Sequence, residues 1–245
     1  MAGGDTREED NGGWQRETAL HDKNGYLMRG LYAIVDVATL TRAGLSPLPF
    51  AEAVLSARPA ALQLRDKSSR RGGADMLALL RELVPMCRRH GVPLFANDRA
   101  DLAQIAGCDG VHVGQRDLPG SLARTLLARG RLGLVGISAH NDADVELALA
   151  ERPDYIGLGP VFGTVSKENP EPTIGLDGLA RLAARVHEAG LPSVAIGGID
   201  IARAASTAAL CPCSAVIGAL VTNEGYEHVA KLARELQAAL LGPLA

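Results

Sequence analysis

The sequence lacks long apolar runs, long runs of positive charge and an abundance of aromatic residues. No stretch reaches the roughly 18 consecutive apolar residues that predict a membrane-spanning helix. Residues 1–17 are acidic and glycine-rich and have no apolar signal core, so we expect a cytoplasmic protein. The net charge is −3, which gives no reason to expect a nucleic-acid partner. These shortages leave small molecules as the expected partners.

Cysteine is also scarce, with four residues in a chain of 245. This number does not suggest a disulfide framework. Cys211 and Cys213 are separated by one proline and could form a redox or metal-binding pair. Because two thiols without a second cluster are more often structural, we expect a structural role for them.

The chain is long enough to bury a sizeable core, because 47% of its 245 residues are hydrophobic. Residues 1–29 show no apolar periodicity and are predicted to form a flexible N-terminal extension. Residues 30–245 are predicted to form one catalytic domain. The sequence leaves open whether the protein forms a homo-oligomer.

Apolar, β-branched runs recur from residue 30 onward and predict eight strands. The predicted strands are 31–36, 61–65, 93–97, 110–114, 134–138, 154–159, 193–198 and 215–219. Amphipathic segments with helix start and stop signals lie between them. Eight strands alternating with helices predict an α/β protein with a single (β/α)₈ TIM barrel. A doubly wound open sheet is the alternative, but no GxGxxG motif follows the first strand.

The second predicted strand ends in alternating polar residues, Gln63, Arg65 and Lys67. Residues two apart on a strand point to the same face, so these side chains are expected to point one way. Two cations on one inward face are costly to desolvate without an anion. The pattern therefore predicts a site for an anionic ligand.

Polar or glycine residues follow nearly every other predicted strand, where the active site of a TIM barrel lies. They are Asn97, Asp98, Asp117, Ser138, His140, Thr164, Ser166, Lys167, Gly197, Gly198 and Gly218. Arg65, Lys67 and Lys167 would suit a polyanionic substrate. Two carboxylates beside a phosphate suggest Mg²⁺, and glycines let backbone N–H groups approach a phosphate.

Each of these residues also has a structural explanation. Asp98 could pair with Arg99 to cap the following helix, and Asp117 could cap the next one. The Gly197–Gly198 pair could be a tight turn, and Lys167 could be a solvated loop residue. His112 lies inside a predicted strand and is more typical of a core histidine than of a catalyst. Convergence on one face of the barrel favours the functional interpretation.

The polar segments also carry a family resemblance. In order, they read "LQLRDK", "NDRADLA", "DGVHVGQRDLP", "GISAH", "DYIGLGPVFGTVSK" and "AIGGI". Their order and spacing over about residues 30 to 240 resemble those of the thiamine phosphate synthases. Members of that family are (β/α)₈ barrels that use Mg²⁺ to join a pyrimidine diphosphate to a thiazole phosphate. They release thiamine phosphate and pyrophosphate.

The resemblance implies a role for each matching residue. The pyrimidine diphosphate would be held by Gln63, Leu64, Arg65, Asp66, Lys67, Asn97, Ser138 and Lys167. Among these, catalytic roles are implied for Arg65, Lys67, Ser138 and Lys167. Asp98 and Asp117 would hold Mg²⁺. The thiazole phosphate would be held by Thr164, Val165, Ser166, Gly198, Ile217 and Gly218.

Two other functions compete with a synthase. A related thiazole tautomerase shares the barrel and the thiazole phosphate site, and His140 could transfer its proton. A non-catalytic thiamine- or phosphate-binding barrel is the other. A tautomerase has no use for a diphosphate–metal site, and a binding protein should have lost a charged participant. Because Lys67, Asp98 and Asp117 are all present, the sequence favours the synthase and a dissociative alkylation.

Overall fold

Eight parallel strands form a closed barrel in the computed structural model, which describes residues 28–67, 72–127, 132–163 and 172–242. Each strand pairs with the next along the chain, and β8 pairs with β1. The strands are β1 Gly30–Asp36, β2 Ala61–Arg65, β3 Leu94–Asn97, β4 Gly110–Val113, β5 Leu134–Ala139, β6 Tyr155–Leu158, β7 Ser193–Ile196 and β8 Cys213–Val216. The predicted TIM barrel is therefore confirmed.

Helices follow the strands and surround the barrel. They are α1 Val37–Arg42, α2 Pro47–Leu55, α3 Gly73–His90, α4 Ala100–Ala106, α5 Gly120–Leu126, α6 Asp142–Ala150, α7 Gly175–Glu188, α8 Ile201–Ala208 and α9 Tyr226–Leu241. A 3₁₀ turn, Gly218–Leu220, follows β8. Asp36, Asn141 and Asp200 each cap a helix by accepting a backbone N–H in its first turn. None of the helices in the described ranges is long and apolar enough to cross a membrane.

Alternation along the strands produces two cores. In β2, Leu62 and Leu64 face the helices, whereas Gln63 and Arg65 face the inside of the barrel. The outer core lies between the strands and the helices. The inner core fills the barrel below its carboxyl end. The polar residues at the carboxyl ends of the strands therefore lie directly above the packed inner core.

Three aromatic rings occupy the centre of the inner core. The rings of Tyr32, Phe95 and Tyr155 lie with their centroids 5.6–5.9 Å apart. Two glycines make room for them. A Cβ at Gly136 would lie 2.1 Å from Cζ of Tyr155, and one at Gly110 would lie 2.6 Å from Cε1 of Phe95. A larger residue at either position would displace a ring.

The described chain begins before the predicted barrel boundary. Met28 is only 2% exposed and packs with the inner core. The barrel therefore includes Met28, two residues before the predicted start. The rest of the predicted extension, residues 1–27, lies outside the described residues.

All four cysteines are buried free thiols. Cys211 Sγ lies 2.9 Å from Ser193 Oγ, and burial raises the pKa of the Cys211 thiol to about 12. Because thiolates are the reactive form, this environment suits the structural role predicted from the sequence.

Candidate active site

A cavity of about 440 Å³ opens at the carboxyl ends of the strands. It brings together most of the predicted site residues. These are Gln63, Arg65, Lys67, Asn97, Asp98, Asp117, Ser138, Gly198, Ile217 and Gly218. They come from strands around the whole barrel, so closure of the sheet is what assembles the site.

Among the predicted residues that the structure describes, two lie outside this cavity. The Leu64 side chain is fully buried in the outer core. Asp66 lines a neighbouring cavity of about 180 Å³, next to Asn97 and Asp98. The remaining four, Thr164, Val165, Ser166 and Lys167, lie outside the described residues. Gly163, the last described residue before them, lines the main cavity.

Arg65 already has an anionic partner within the protein. Its guanidinium donates to the carboxylate of Asp36, which is the last residue of β1 and is almost fully buried. The same carboxylate accepts from the Thr39 backbone N–H at 2.9 Å and from the Thr39 hydroxyl at 2.7 Å. Asp36 is not among the site residues predicted from the sequence, although it is an acidic residue at a strand end, as are other predicted site residues. One Arg65 donor is thus held in place and the rest remain at the cavity.

Lys67, Asp98 and Asp117 form a charged group at the cavity mouth. Lys67 Nζ lies 2.8 Å from a carboxylate oxygen of Asp98. Burial and the neighbouring Asp117 carboxyl raise the pKa of Asp98, and Lys67 opposes this shift. Two adjacent carboxylates repel each other unless a cation or a proton lies between them.

Neither carboxylate caps the helix that follows it. Arg99 pairs with Asp101 rather than with Asp98, and α5 begins at Gly120 without a side-chain cap. Asp98 adopts a φ of 62°, which is uncommon for a residue other than glycine. Its N–H donates to the carbonyl of His112 at 2.8 Å, which holds it in this conformation. Such strain is often found at functional sites.

These two carboxylates fit a hard divalent cation. Mg²⁺ typically takes one or two protein carboxylates and completes its shell with water and substrate phosphate. Within the described ranges, three or more His, Cys, Asp or Glu side chains do not cluster as a metal site would require. The pair could therefore hold Mg²⁺ together with a phosphorylated ligand.

A chain of hydrogen bonds crosses the cavity floor. Gln63 donates to the Tyr32 hydroxyl at 3.0 Å, which lies 2.8 Å from the Tyr155 hydroxyl. His112 Nδ1 lies 2.9 Å from that second hydroxyl, and its Nε2 lies 2.8 Å from Ser138 Oγ. His112 is therefore a hydrogen-bonded histidine, as expected, but it also lines the cavity.

The ends of β7 and β8 form a rim on the other side of the cavity, and we call it the neutral rim because its strand-end residues, Gly197, Gly198, Ile217 and Gly218, are uncharged. Gly197 and Gly198 have φ of 105° and 62°, where side chains other than glycine are strained. A Cβ at Gly198 would also lie 2.5 Å from the carbonyl oxygen of Gly163. Arg203 adds a cation that the sequence analysis missed. It lines the cavity, donates to the Gly198 carbonyl at 2.6 Å and lies over the Phe162 ring.

Comparison with known proteins assigns this barrel to a family. Residues 31–220 match the family described as thiamine monophosphate synthase. The chain belongs to this family. The match covers all eight strands except the first residue of β1, and it confirms the resemblance carried by the strand-end motifs.

Individual members of the thiamine monophosphate synthase family are similar over most of their length. The thiamine-phosphate synthase of Chloroflexus aurantiacus is 39% identical over 207 residues, covering 84% of this chain and 91% of the relative. That of Myxococcus xanthus is 37% identical over 219 residues, covering 89% and 96%. The thiamine phosphate pyrophosphorylase from Pyrococcus furiosus superposes with a TM-score of 0.73 at 27% identity, covering 87% and 96%.

More distant structures share the barrel alone. The 2-keto-3-deoxy-6-phospho-gluconate aldolase from Zymomonas mobilis superposes with a TM-score of 0.61 at 20% identity, covering 86% of this chain and 93% of that one. Within the thiamine monophosphate synthase family, the function must therefore be argued from the site rather than from the barrel.

Proposed function

We propose that this chain is a thiamine-phosphate synthase. It joins 4-amino-2-methyl-5-(diphosphooxymethyl)pyrimidine to a thiazole phosphate and releases pyrophosphate. The observation that carries the proposal is the group formed by Lys67, Asp98 and Asp117 at the mouth of a cavity that also contains Arg65. Family membership and the identity to curated synthases support the same activity.

The charged side of the cavity would take the diphosphate. Arg65 and Lys67 supply cations, and Asn97 supplies an amide beside them. Asp98 and Asp117 would hold Mg²⁺, whose charge would offset that of the diphosphate oxygens. Lys167 would add a further cation from the segment that follows Gly163. The Asp36 carboxylate keeps Arg65 oriented in the absence of substrate.

The other two parts of the cavity suit the remaining groups. Gln63 and Ser138, at the ends of the hydrogen-bond chain, would contact the aminopyrimidine. Gly198, Ile217 and Gly218 would hold the thiazole phosphate through backbone N–H groups, because they lie on the neutral rim. Thr164, Val165 and Ser166 would complete that site. A cavity of about 440 Å³ is within the usual range for ligand sites.

The reaction needs positioning and charge rather than a protein nucleophile. The bond between the pyrimidine methylene carbon and the diphosphate oxygen breaks, and its electron pair leaves with the pyrophosphate. Arg65, Lys67 and Lys167 stabilise the negative charge that develops there. The electron-rich aminopyrimidine delocalises the positive charge on the methylene until the thiazole nitrogen attacks it. Holding both substrates in one cavity removes much of the entropic barrier.

Turnover with both substrates tests the proposal. We expect the purified protein to form thiamine phosphate and pyrophosphate with Mg²⁺, and to lose this activity with EDTA. Lys67→Met should lower kcat by roughly 10²-fold, because one donor to the leaving group is lost. Lys231→Met is the matched control, since Lys231 lies on α9 and pairs only weakly with Glu235. Undiminished turnover without a divalent cation would overturn the metal assignment.

His140 separates the synthase from the tautomerase. Its Nδ1 lies 2.9 Å from a carboxylate oxygen of Asp144, and it lines the cavity. A dissociative alkylation needs no general base, so we expect His140→Ala to leave condensation nearly unchanged. Loss of about 10²- to 10⁴-fold in thiazole isomerisation, without any condensation, would instead identify a tautomerase.

A further inference from the structure

The hydrogen-bond chain across the cavity floor joins five strands. It runs from Gln63 on β2 through Tyr32 on β1, Tyr155 on β6 and His112 on β4 to Ser138 on β5. All four contacts are 2.8–3.0 Å between the donor and acceptor atoms. All five residues line the cavity, and the two tyrosines are almost fully buried beneath it.

The number of protons in the chain limits how it can be oriented. The amide nitrogen of Gln63 can only donate, so the Tyr32 oxygen accepts at that contact. Burial raises the pKa of Tyr32 and of Tyr155, so each hydroxyl keeps its single proton. Among the described residues, the Tyr32 hydroxyl bonds to Gln63 and Tyr155, and the Tyr155 hydroxyl bonds to Tyr32 and His112.

Only one direction gives each buried hydroxyl proton an acceptor within this chain. Tyr32 donates to Tyr155, and Tyr155 donates to His112 Nδ1. His112 must then carry its proton on Nε2 and donate it to Ser138 Oγ. In the reverse direction the Tyr32 oxygen would accept twice, and its own proton would have no acceptor among the described residues. A buried hydroxyl without a partner is costly.

We infer that Tyr32, Tyr155 and His112 are positioning residues that fix which end of the cavity floor donates and which end accepts. Ser138 is left with its own proton to donate to a ligand, and Gln63 is left with its Oε1 oxygen to accept. These two groups match a heterocycle with an acceptor ring nitrogen and a donor amino group. The chain therefore selects a 4-aminopyrimidine over the 4-oxo analogue, an inference that rests on the proposed function.

The selection follows from the reversed pattern of the analogue. A 4-oxopyrimidine presents a carbonyl acceptor where the amino group donated, and a ring N–H where the nitrogen accepted. Gln63 Oε1 would then face an acceptor, and the Ser138 hydroxyl would face a donor. A site built to form such hydrogen bonds rejects a mismatched ligand by roughly 10⁴-fold. In the reverse direction the Ser138 proton would be donated to His112 Nε2, and it could not be donated to the ring nitrogen of the aminopyrimidine.

Tyr155→Phe tests the inference because it removes the central hydroxyl and keeps the ring. The measurement is the competitive inhibition constant of the 4-oxo analogue divided by the KM for the aminopyrimidine diphosphate. We expect this ratio to fall by roughly tenfold or more, because the hydrogen bonds from Tyr155 to Tyr32 and His112 are lost and the direction of the chain is no longer fixed at Gln63 and Ser138. Phe95→Leu is the control, because Phe95 packs against the Tyr155 ring without a hydroxyl. It should alter stability and leave the ratio unchanged.

The tautomer of His112 gives a second, ligand-free measurement. Nitrogen NMR of the labelled full chain, with His112→Gln used for assignment, should show the proton on Nε2 in the wild type. A proton on Nδ1, or an unchanged ratio in Tyr155→Phe, would overturn the inference. Wild-type protein that makes no thiamine phosphate would overturn the proposed function, and with it the substrate named here. The tautomer would still decide the direction of the chain.

Discussion

Asp36 connects the architecture of the barrel to its charged site. One carboxylate oxygen caps helix α1 by accepting from Thr39, and the other accepts from Arg65. The Asp36 side chain is 1% exposed and that of Arg65 is 14% exposed. An ion pair in this position is costly to break from one side only, because the remaining charge stays partly buried. Arg65 is therefore held ready for an anion by the same residue that starts a helix.

We expect Arg65→Met and Asp36→Asn each to lower the free energy of unfolding, by about 2 to 3 kcal/mol. The double variant should regain part of this loss, because it removes both charges. Activity should stay low in the double variant, since the proposed mechanism uses Arg65 to bind the diphosphate. Arg42→Met is the control, an exposed arginine that also contacts Thr39. Chemical denaturation with turnover assays measures both effects, and additive losses in the double variant would contradict the pairing.

Lys167 is the proposed cation that the structure does not describe. If the segment after Gly163 completes the leaving-group site, Lys167→Ala should lower kcat by roughly 10²-fold. The KM for the thiazole phosphate should change less, because Lys167 is not expected to contact it. Glu168→Ala, in the same segment, is the control. Steady-state kinetics with both substrates varied is the measurement. An unchanged kcat in Lys167→Ala would show that Lys167 is a solvated loop residue.

Residue positions within one strand could be predicted, but contacts between strands could not. The alternation of Gln63, Arg65 and Lys67 is a local property, and all three do line one cavity. The partners Asp36 and Asp98 lie on other segments, and their distances depend on the register of the closed barrel. The sequence alone therefore predicts that Arg65 and Lys67 have no anionic partner until a ligand binds. Each of them already has a carboxylate partner in the protein.

At the scale of elements, two strands end before the apolar runs that predict them do. The predicted strand 193–198 ends at Ile196, because Gly197 and Gly198 have positive φ values that a strand cannot continue. The predicted strand 215–219 instead spans Cys213–Val216, and Gly218 begins a 3₁₀ turn. Apolar content locates a strand well, but it does not show where the backbone leaves the sheet. These short exits are the segments that form the neutral rim of the cavity.

Helix α7 carries a histidine that depends on its packing. His187 lies on this helix but is half-buried, and its Nε2 lies 2.9 Å from Ser193 Oγ on β7. Burial lowers the pKa of His187. The unfolded chain therefore takes up a proton near pH 6.5 while the folded protein resists it. The contribution of neutral His187 to the free energy of unfolding is therefore fully present above about pH 6.5 and is lost as the pH falls below that value.

We expect the free energy of unfolding to decrease between about pH 7 and pH 5.5, and His187→Gln to reduce the part due to this group. Glu188→Gln, an exposed neighbour on the same helix, should leave the slope in this range unchanged. Denaturation at a series of pH values gives the slopes directly. A steeper loss in His187→Gln than in the wild type would contradict the assignment.

At the scale of the whole molecule, Met28 belongs to the inner core of the barrel. Removing residues 1–27 should leave turnover and stability near those of the wild type, because that segment has no apolar pattern. Removing residues 1–29 should cost about 2 kcal/mol or more, since it takes Met28 out of the inner core. Thermal unfolding of the two truncated proteins tests this. A large loss of turnover on removing residues 1–27 would show a role for the N-terminal segment.

The ring cluster of Tyr32, Phe95 and Tyr155 limits the path by which ligands enter and leave the cavity. It fills the barrel below the site, so ligands pass through the mouth at the carboxyl ends of the strands. If the pyrimidine contacts Gln63 and Ser138 on the floor and the thiazole phosphate binds at the rim, as proposed, the pyrimidine should bind first, because the thiazole phosphate would block its path. Binding would then be ordered, and the substrate that binds first would be unable to dissociate until the second has left. Excess thiazole phosphate should then inhibit the enzyme, because it would bind at the rim of the empty cavity and block entry of the pyrimidine.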